Sequence, residues 1–280
     1  MKTIVQLTPC LMLDNNRQAN FKAMQYALDN YRNISAYVVY DQEHKENDFL
    51  RGFTYIGHQP KRQGFVKPRN ELLKWFYNSN FDYALWIDAN ETVSPSTLDD
   101  LNTLTTALAN ETVDVNCVFS TLGIQISQER MFAKQRKDYF DSVYLIRNKK
   151  GYEWMHGCII KNFKKYYDTE IYIDERCDPW KGSSEDVYFS RLMRRLFCCQ
   201  LCPTITVNKP SSNTSTWMNK AGSYAYPPVD RPTVDTYIEE NYHLYSHLAR
   251  GVIPNVVRLD RVKDDTLRLL KPYKSRSKKK

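Results

Sequence analysis

The sequence predicts an α/β domain with a mostly parallel sheet flanked by helices. Short runs rich in β-branched and aromatic residues alternate with segments of helical period through the first 110 residues. Two of those runs stop at an acid, Asp41 and Asp88, where the ligands of parallel sheets collect. Composition agrees: 42% hydrophobic and 13% aromatic residues in a 280-residue chain are enough for a sizeable core and too many for a disordered chain.

Taken in order, Thr3-Ile4-Val5-Gln6-Leu7 is a strand followed by Thr8-Pro9, and 18–31 carries Ala19, Ala23, Tyr26 and Ala27 near helical spacing. Residues 36–40 form a strand ending at Asp41, and 53–56 form another ahead of the basic loop 61–68. The stretch 69–78 is a helix with Leu72, Leu73 and Phe76 on one face, and it feeds the apolar strand 83–87. Ser94-Pro95-Ser96 opens a helix running to about Asn110. Strands follow near 115–120, 142–147 and 157–163, then a basic helix over 187–197. Polar loops follow Pro203, and a last helix covers 237–250.

No run reaches the ~18–20 apolar residues that cross a bilayer, and the N-terminal stretch has no signal-peptide apolar region. A cytoplasmic protein is expected, in the host cytoplasm if the gene is a phage's. Seven Cys, with Cys198, Cys199 and Cys202 crowded together, suit reduced packing thiols better than a disulfide framework or a zinc site. The formal charge of +8 and pI ≈ 9.0 point to an anionic partner, and part of that charge sits in the basic tail 271–280, expected to be mobile.

The chemistry centres on Leu85-Trp86-Ile87-Asp88-Ala89-Asn90-Glu91. A carboxylate at a strand tip, with an oxygen ligand two positions on, suits a hard divalent ion held between protein and diphosphate. A second acidic pair, Glu185-Asp186, follows Ser183-Ser184; this pattern fits both helix capping and a general base facing an acceptor hydroxyl. Trp154, His156 and Trp180 offer flat faces for a sugar or base, or for packing. His243 and His247, at i, i+4 spacing, are candidate metal ligands or simply exposed histidines. Arg191, Arg194 and Arg195 share one helical face, suited to an anionic acceptor or to solvent.

The passage from Lys67-Pro68-Arg69-Asn70 through the helix to Asp88-Ala89-Asn90, together with the Glu185-Asp186 segment, resembles family-2-like glycosyltransferases of the GT-A type. The resemblance covers about two thirds of the chain. It implies a Rossmann-like GT-A fold over 1–270, with a nucleotide-sugar half at 1–110 and an acceptor half at 111–270. It also implies a UDP-sugar donor, Mn²⁺ or Mg²⁺, and an inverting displacement. By the same resemblance Thr8, Pro9 and Asp41 line the nucleotide pocket, Arg69 takes a diphosphate or structural role, Asp88 and Asn90 hold metal and ribose, and Asp186, beside Glu185, is the base. Asn90 departs from the family's usual Asp, a neutral ligand in place of a charged one.

Lacking an anchor and carrying a basic helix and tail, the chain also resembles tailed-bacteriophage enzymes that glycosylate 5-hydroxymethylcytosine in DNA. Double-stranded DNA is therefore the preferred acceptor, with Trp154, His156, Trp180, Arg191 and Arg194 on the acceptor side and glucose or arabinose as the sugar. Two alternatives stand beside it: a same-fold transferase acting on lipopolysaccharide or another surface glycan, and a non-enzymatic DNA-binding module. A nucleotidyltransferase would ordinarily need a Gly-rich phosphate loop after the first strand, which Thr8-Pro9-Cys10 does not supply.

Overall fold

Alternation along the strands sorts the core onto two faces of one sheet. In β1 (Ile4–Pro9), Val5 and Leu7 join one buried cluster and Ile4 joins the other. In β4 (Tyr83–Trp86), Ala84 and Trp86 go with the first cluster, Tyr83 and Leu85 with the second. The computed structural model describes residues 1–9, 34–40, 53–56, 66–88, 92–93, 95–122, 142–147, 158–177, 185–197, 199–208, 231–248 and 256–260. The tail, the expected helix at 18–31, and Asp41, Asn90, Trp154, His156 and Trp180 lie outside them.

The remaining strands are β2 (Ile34–Tyr40), β3 (Phe53–Ile56), β5 (Thr92–Val93), β6 (Cys117–Leu122), β7 (Ser142–Arg147), β8 (Cys158–Lys161), β9 (Gln200–Asn208) and β10 (Val256–Asp260). Their order is β10-β7-β9-β6-β8-β4-β1-β2-β3, with β5 paired to β9. The block β3-β2-β1-β4 is parallel throughout, as the strand–helix alternation predicts. Beyond β4 the sheet is mixed: β8 runs antiparallel to both β4 and β6, whereas β6 and β9 are parallel.

Helix α1 (Val66–Tyr77) buries Val66, Arg69, Leu72, Leu73, Phe76 and Tyr77 against the first face, and Pro68 sits in its first turn, where a missing N–H costs nothing. Helix α2 (Pro95–Ala109) covers the opposite face through Leu101, Leu104 and Leu108. Back on the first face, α3 (Phe163–Tyr167) is capped by Asn162, whose Oδ1 accepts from the Lys165 amide while its Nδ2 donates to the carbonyls of Phe76 and Phe81, each at 3.0 Å. Helix α4 (Glu185–Phe197) ends with Phe197 stacked on Phe163, centroids 4.8 Å apart.

The last helix, α5 (Arg231–Tyr245), starts six residues before the 237–250 expected. Pro232 in its first turn, read as loop in sequence, is a helix-start residue. Arg191 pairs with Asp235 and Arg195 with Glu239, so α5 runs parallel to α4 along its outer side. Among the described residues, no helix is long and apolar enough to cross a membrane.

Candidate active site

In the strand order β3-β2-β1-β4, the chain leaves β1 toward one side of the sheet and returns to β4 on the other. That reversal opens a crevice at the carboxyl ends of β1 and β4, the place where open α/β sheets bind ligands. Leu7 and Trp86 are the last registered pair there, and the Ile87 amide donates to the Leu7 carbonyl at 3.1 Å. Two residues beyond that pair lie Pro9 and Asp88, on the face that carries α1.

Arg69 rises from the first turn of α1 into this crevice because it shares the helix's buried stripe with Val66, Leu72 and Phe76. Only 3% exposed, its guanidinium is surrounded by three carboxylates. Nη2 lies 3.2 Å from Asp88 Oδ2, Nη1 lies 3.1 Å from Glu185 Oε1, and Nη1 also donates to Asp186 Oδ1. Asp88 is held from a second direction, since the Trp86 indole Nε1 donates to its Oδ1 at 3.2 Å. The guanidinium carbon stands 5.9 Å from the Trp86 ring centre. Sequence reasoning gave Trp86 no role, although a residue two before Asp88 on one strand shares its face.

Burial disfavours the charged form of Arg69, but the fields of Asp186, Asp88 and Glu185 outweigh it and hold the group well above its usual value. Burial and then the neighbouring Asp186 charge push Glu185 up to about 8, against the opposing pull of Arg69. Glu185 therefore holds its proton more tightly than an ordinary glutamate, while Asp88 and Asp186 are the more exposed partners of Arg69. Asp88 and Asp186 expose 14% and 13% of their side chains against 6% for Glu185, so those two are the carboxylates a ligand can reach. Both acids of α4 also sit in its first turn, where the helix dipole favours negative charge.

The structure thus gathers Arg69, Asp88, Glu185 and Asp186, and it leaves other candidates elsewhere. The hydroxyl of Thr8 accepts from Gln6 Nε2 at 3.0 Å, and strand alternation turns it to the face opposite Asp88. The strand itself runs through Pro9 rather than ending before Thr8. His243 and His247 lie away from the cluster. Parallel packing of α5 on α4 puts His243 a turn beyond the Arg195–Glu239 pair, roughly 20 Å along the helix axis from Asp186. His247 lies 3.2 Å from Thr169 Oγ1, just past α3, at the edge where β4 begins rather than ends. Moreover, α5 ends at Tyr245, so the i, i+4 spacing does not place the pair on one helical face.

Arg191 and Arg195 are not an open cationic face, because α5 supplies Asp235 at 2.5 Å and Glu239 at 2.8 Å as counter-charges. With Arg194 and Ile238 these four side chains line a groove of about 480 Å³ between α4 and α5. Among the described residues, no group of three or more His, Cys, Asp or Glu is arranged to hold a metal by itself. Asn70, next to Arg69, has a packing role: it donates to the Ile173 carbonyl at 2.8 Å and accepts from the Ile173 amide at 2.9 Å, pinning 171–173 along α1.

No family model matches the sequence, and no curated protein matches it. Among solved structures, S. aureus TarS aligns with a TM-score of 0.48 at 14% identity, over 75% of this chain and 37% of that one. Its 1–349 fragment aligns at 0.47 and 14%, over 74% of this chain and 60% of the fragment. The same fragment in complex with UDP-GlcNAc aligns at 0.47 and 14%, over 75% and 59%. The chain spans less than two thirds of each of these neighbours. What the Arg69 cluster can do follows from its own geometry rather than from theirs.

Proposed function

We propose that the chain is a metal-assisted GT-A-type glycosyltransferase that moves a sugar from a UDP-sugar to an acceptor hydroxyl. One observation carries the reading: a buried guanidinium holds two partly exposed carboxylates, Asp88 from a strand tip and Asp186 from a helix start, at the sheet's switch point. Asp186 accepts the proton of the acceptor hydroxyl, whose oxygen forms the new bond to the anomeric carbon as the bond to the diphosphate breaks and nucleoside diphosphate leaves. A base on the face opposite the leaving group makes the outcome inverting.

Mn²⁺ or Mg²⁺ fits the donor set at Asp88, since such ions take one or two carboxylates beside substrate phosphates rather than an all-protein cage. Asp88 and Asn90 would hold the ion, which supplies charge neutralisation for the departing diphosphate. Trp86 and Arg69 fix the carboxylate of Asp88 from two sides, so its outward oxygen lone pairs meet the donor without rearrangement.

The preferred acceptor is 5-hydroxymethylcytosine in double-stranded DNA, with glucose or arabinose as the sugar. The +8 charge and the groove containing Arg194, lined by the helix whose first turn carries Asp186, favour a polyanion. With Arg191 and Arg195 countered, that basic surface is smaller than the sequence alone suggests. The test is incubation with Mn²⁺, UDP-glucose or UDP-arabinose, and one acceptor at a time: hydroxymethylated DNA, unmodified DNA or lipopolysaccharide. UDP release and nucleoside mass are then measured. Sugar on hydroxymethylcytosine supports the DNA acceptor, and transfer only to lipopolysaccharide moves the acceptor to surface glycan. No UDP release with any donor would sink the enzymatic reading.

A further inference from the structure

Two acids that act on different substrates need a fixed mutual geometry, and Asp88 and Asp186 come from separate elements, with Arg69 itself 117 positions from Asp186. A chain connection cannot set that geometry, but a rigid group touching both acids can. The Arg69 guanidinium is such a group: planar, with nitrogens in a fixed fork, it points Nη2 at Asp88 and Nη1 at Asp186. We infer that Arg69 is a positioning residue which bridges the donor-side carboxylate Asp88 to the base Asp186 and thereby sets their separation. This inference rests on the glycosyl-transfer reading of the site, and of the diphosphate or structural role that resemblance implies for Arg69 it specifies the structural one.

Three further contacts hold the bridge. The guanidinium is fixed on one side by Glu185, whose oxygen lies 3.1 Å from Nη1. Trp86 holds the other oxygen of Asp88, so the carboxylate cannot turn while the fork stays in place. The 3% exposure of Arg69 leaves little room for the side chain to swing toward a ligand. Lysine in its place would keep the charge and lose the fork, satisfying one arm at a time.

The experiment is a double-mutant cycle on UDP release from UDP-glucose with Mn²⁺, using Arg69→Lys, Asp186→Asn and the pair. Arg69→Lys alone is expected to lower kcat by roughly 100-fold, as misplacement of reacting groups by about 1 Å does. In the Asp186→Asn background the same change is expected to cost less than about 3-fold, because its effect runs through Asp186. Losses that multiply in the pair overturn the bridge and leave Arg69 a plain folding residue. Should Arg69→Lys fail to fold, Asp88→Asn and Asp186→Asn take its place in the cycle, and multiplicative losses again overturn it. If the parent protein releases no UDP from any donor, the glycosyl-transfer reading fails separately. The bridge is then read from Tm, where non-additive shifts for Arg69→Lys and Asp186→Asn support it and additive shifts overturn it.

Discussion

Arg69→Met removes the cation from the acidic cluster while keeping an unbranched side chain in the same space. In the parent protein Arg69 compensates the carboxylates of Asp88 and Asp186, beside Glu185, whose pKa burial raises. A charge pair about 4 Å apart at an effective dielectric of 20 is worth about 4 kcal/mol before desolvation, and breaking a buried pair costs about 3–5 kcal/mol. A loss of about 4 kcal/mol in a chain of this size lowers Tm by roughly 8–16 °C. The sign with pH follows from the protons. In the variant, unpaired buried carboxylates bind protons more tightly than the unfolded chain does, so stability is retained at acid pH and lost as pH rises. In the parent the same sign applies to Glu185 alone: its raised value makes stability complete below about 4.5 and lost as pH rises through about 8. The gap between parent and variant, measured by urea unfolding from pH 4 to pH 8, should therefore narrow toward acid. A gap below about 1 kcal/mol at pH 7.5, or one that does not change with pH, would refute the ion-pair account.

Two further predictions concern the opposite edge of the sheet. Asn162→Ala removes the cap of α3 and the side-chain donor to the Phe81 carbonyl, while the Phe76 carbonyl keeps its bonds from Ser79, so a loss of about 1–3 kcal/mol is expected in chemical denaturation with the fold unchanged by circular dichroism. Burial raises Asp82, but hydrogen bonds from Lys165, Tyr166 and Thr3 outweigh it and bring its value down to about 2. Its contribution is therefore complete above about pH 4 and lost as pH falls toward 2. Asp82→Asn should cost on the order of 2 kcal/mol at pH 7 and almost nothing near pH 2 by thermal unfolding.

Much of the N-terminal half was legible because its signals are local. The run Tyr83-Ala84-Leu85-Trp86 is fully buried, and the spacing of Leu72, Leu73 and Phe76 marks one helix face. In the second half, longer-range pairing decides. Strand β9, which carries Pro203 inside it, is not anticipated by the sequence pattern. Its ladder with β6 passes from Phe119↔Leu201 to Thr121↔Thr206, so Pro203 falls in an irregularity where no partner needs its missing N–H. The antiparallel insertion of β8 between β4 and β6 has no signature in a four-residue apolar run. At the site, Asp88 and the Glu185-Asp186 pair were visible as motifs, but their meeting through Arg69 depends on tertiary placement. The spacing of His243 and His247 means one face only where an α-helix continues, and α5 gives way to a 3-10 turn after Tyr245.

The central claim is that Asp88 meets a cation shared with a nucleotide diphosphate. It is tested most directly by diffraction from crystals grown with UDP and Mn²⁺, collected at the manganese absorption edge. The account predicts an anomalous peak between an Asp88 carboxylate oxygen and the diphosphate, with Asp186 facing the same cleft. Manganese and nucleotide bound away from Asp88 would contradict it.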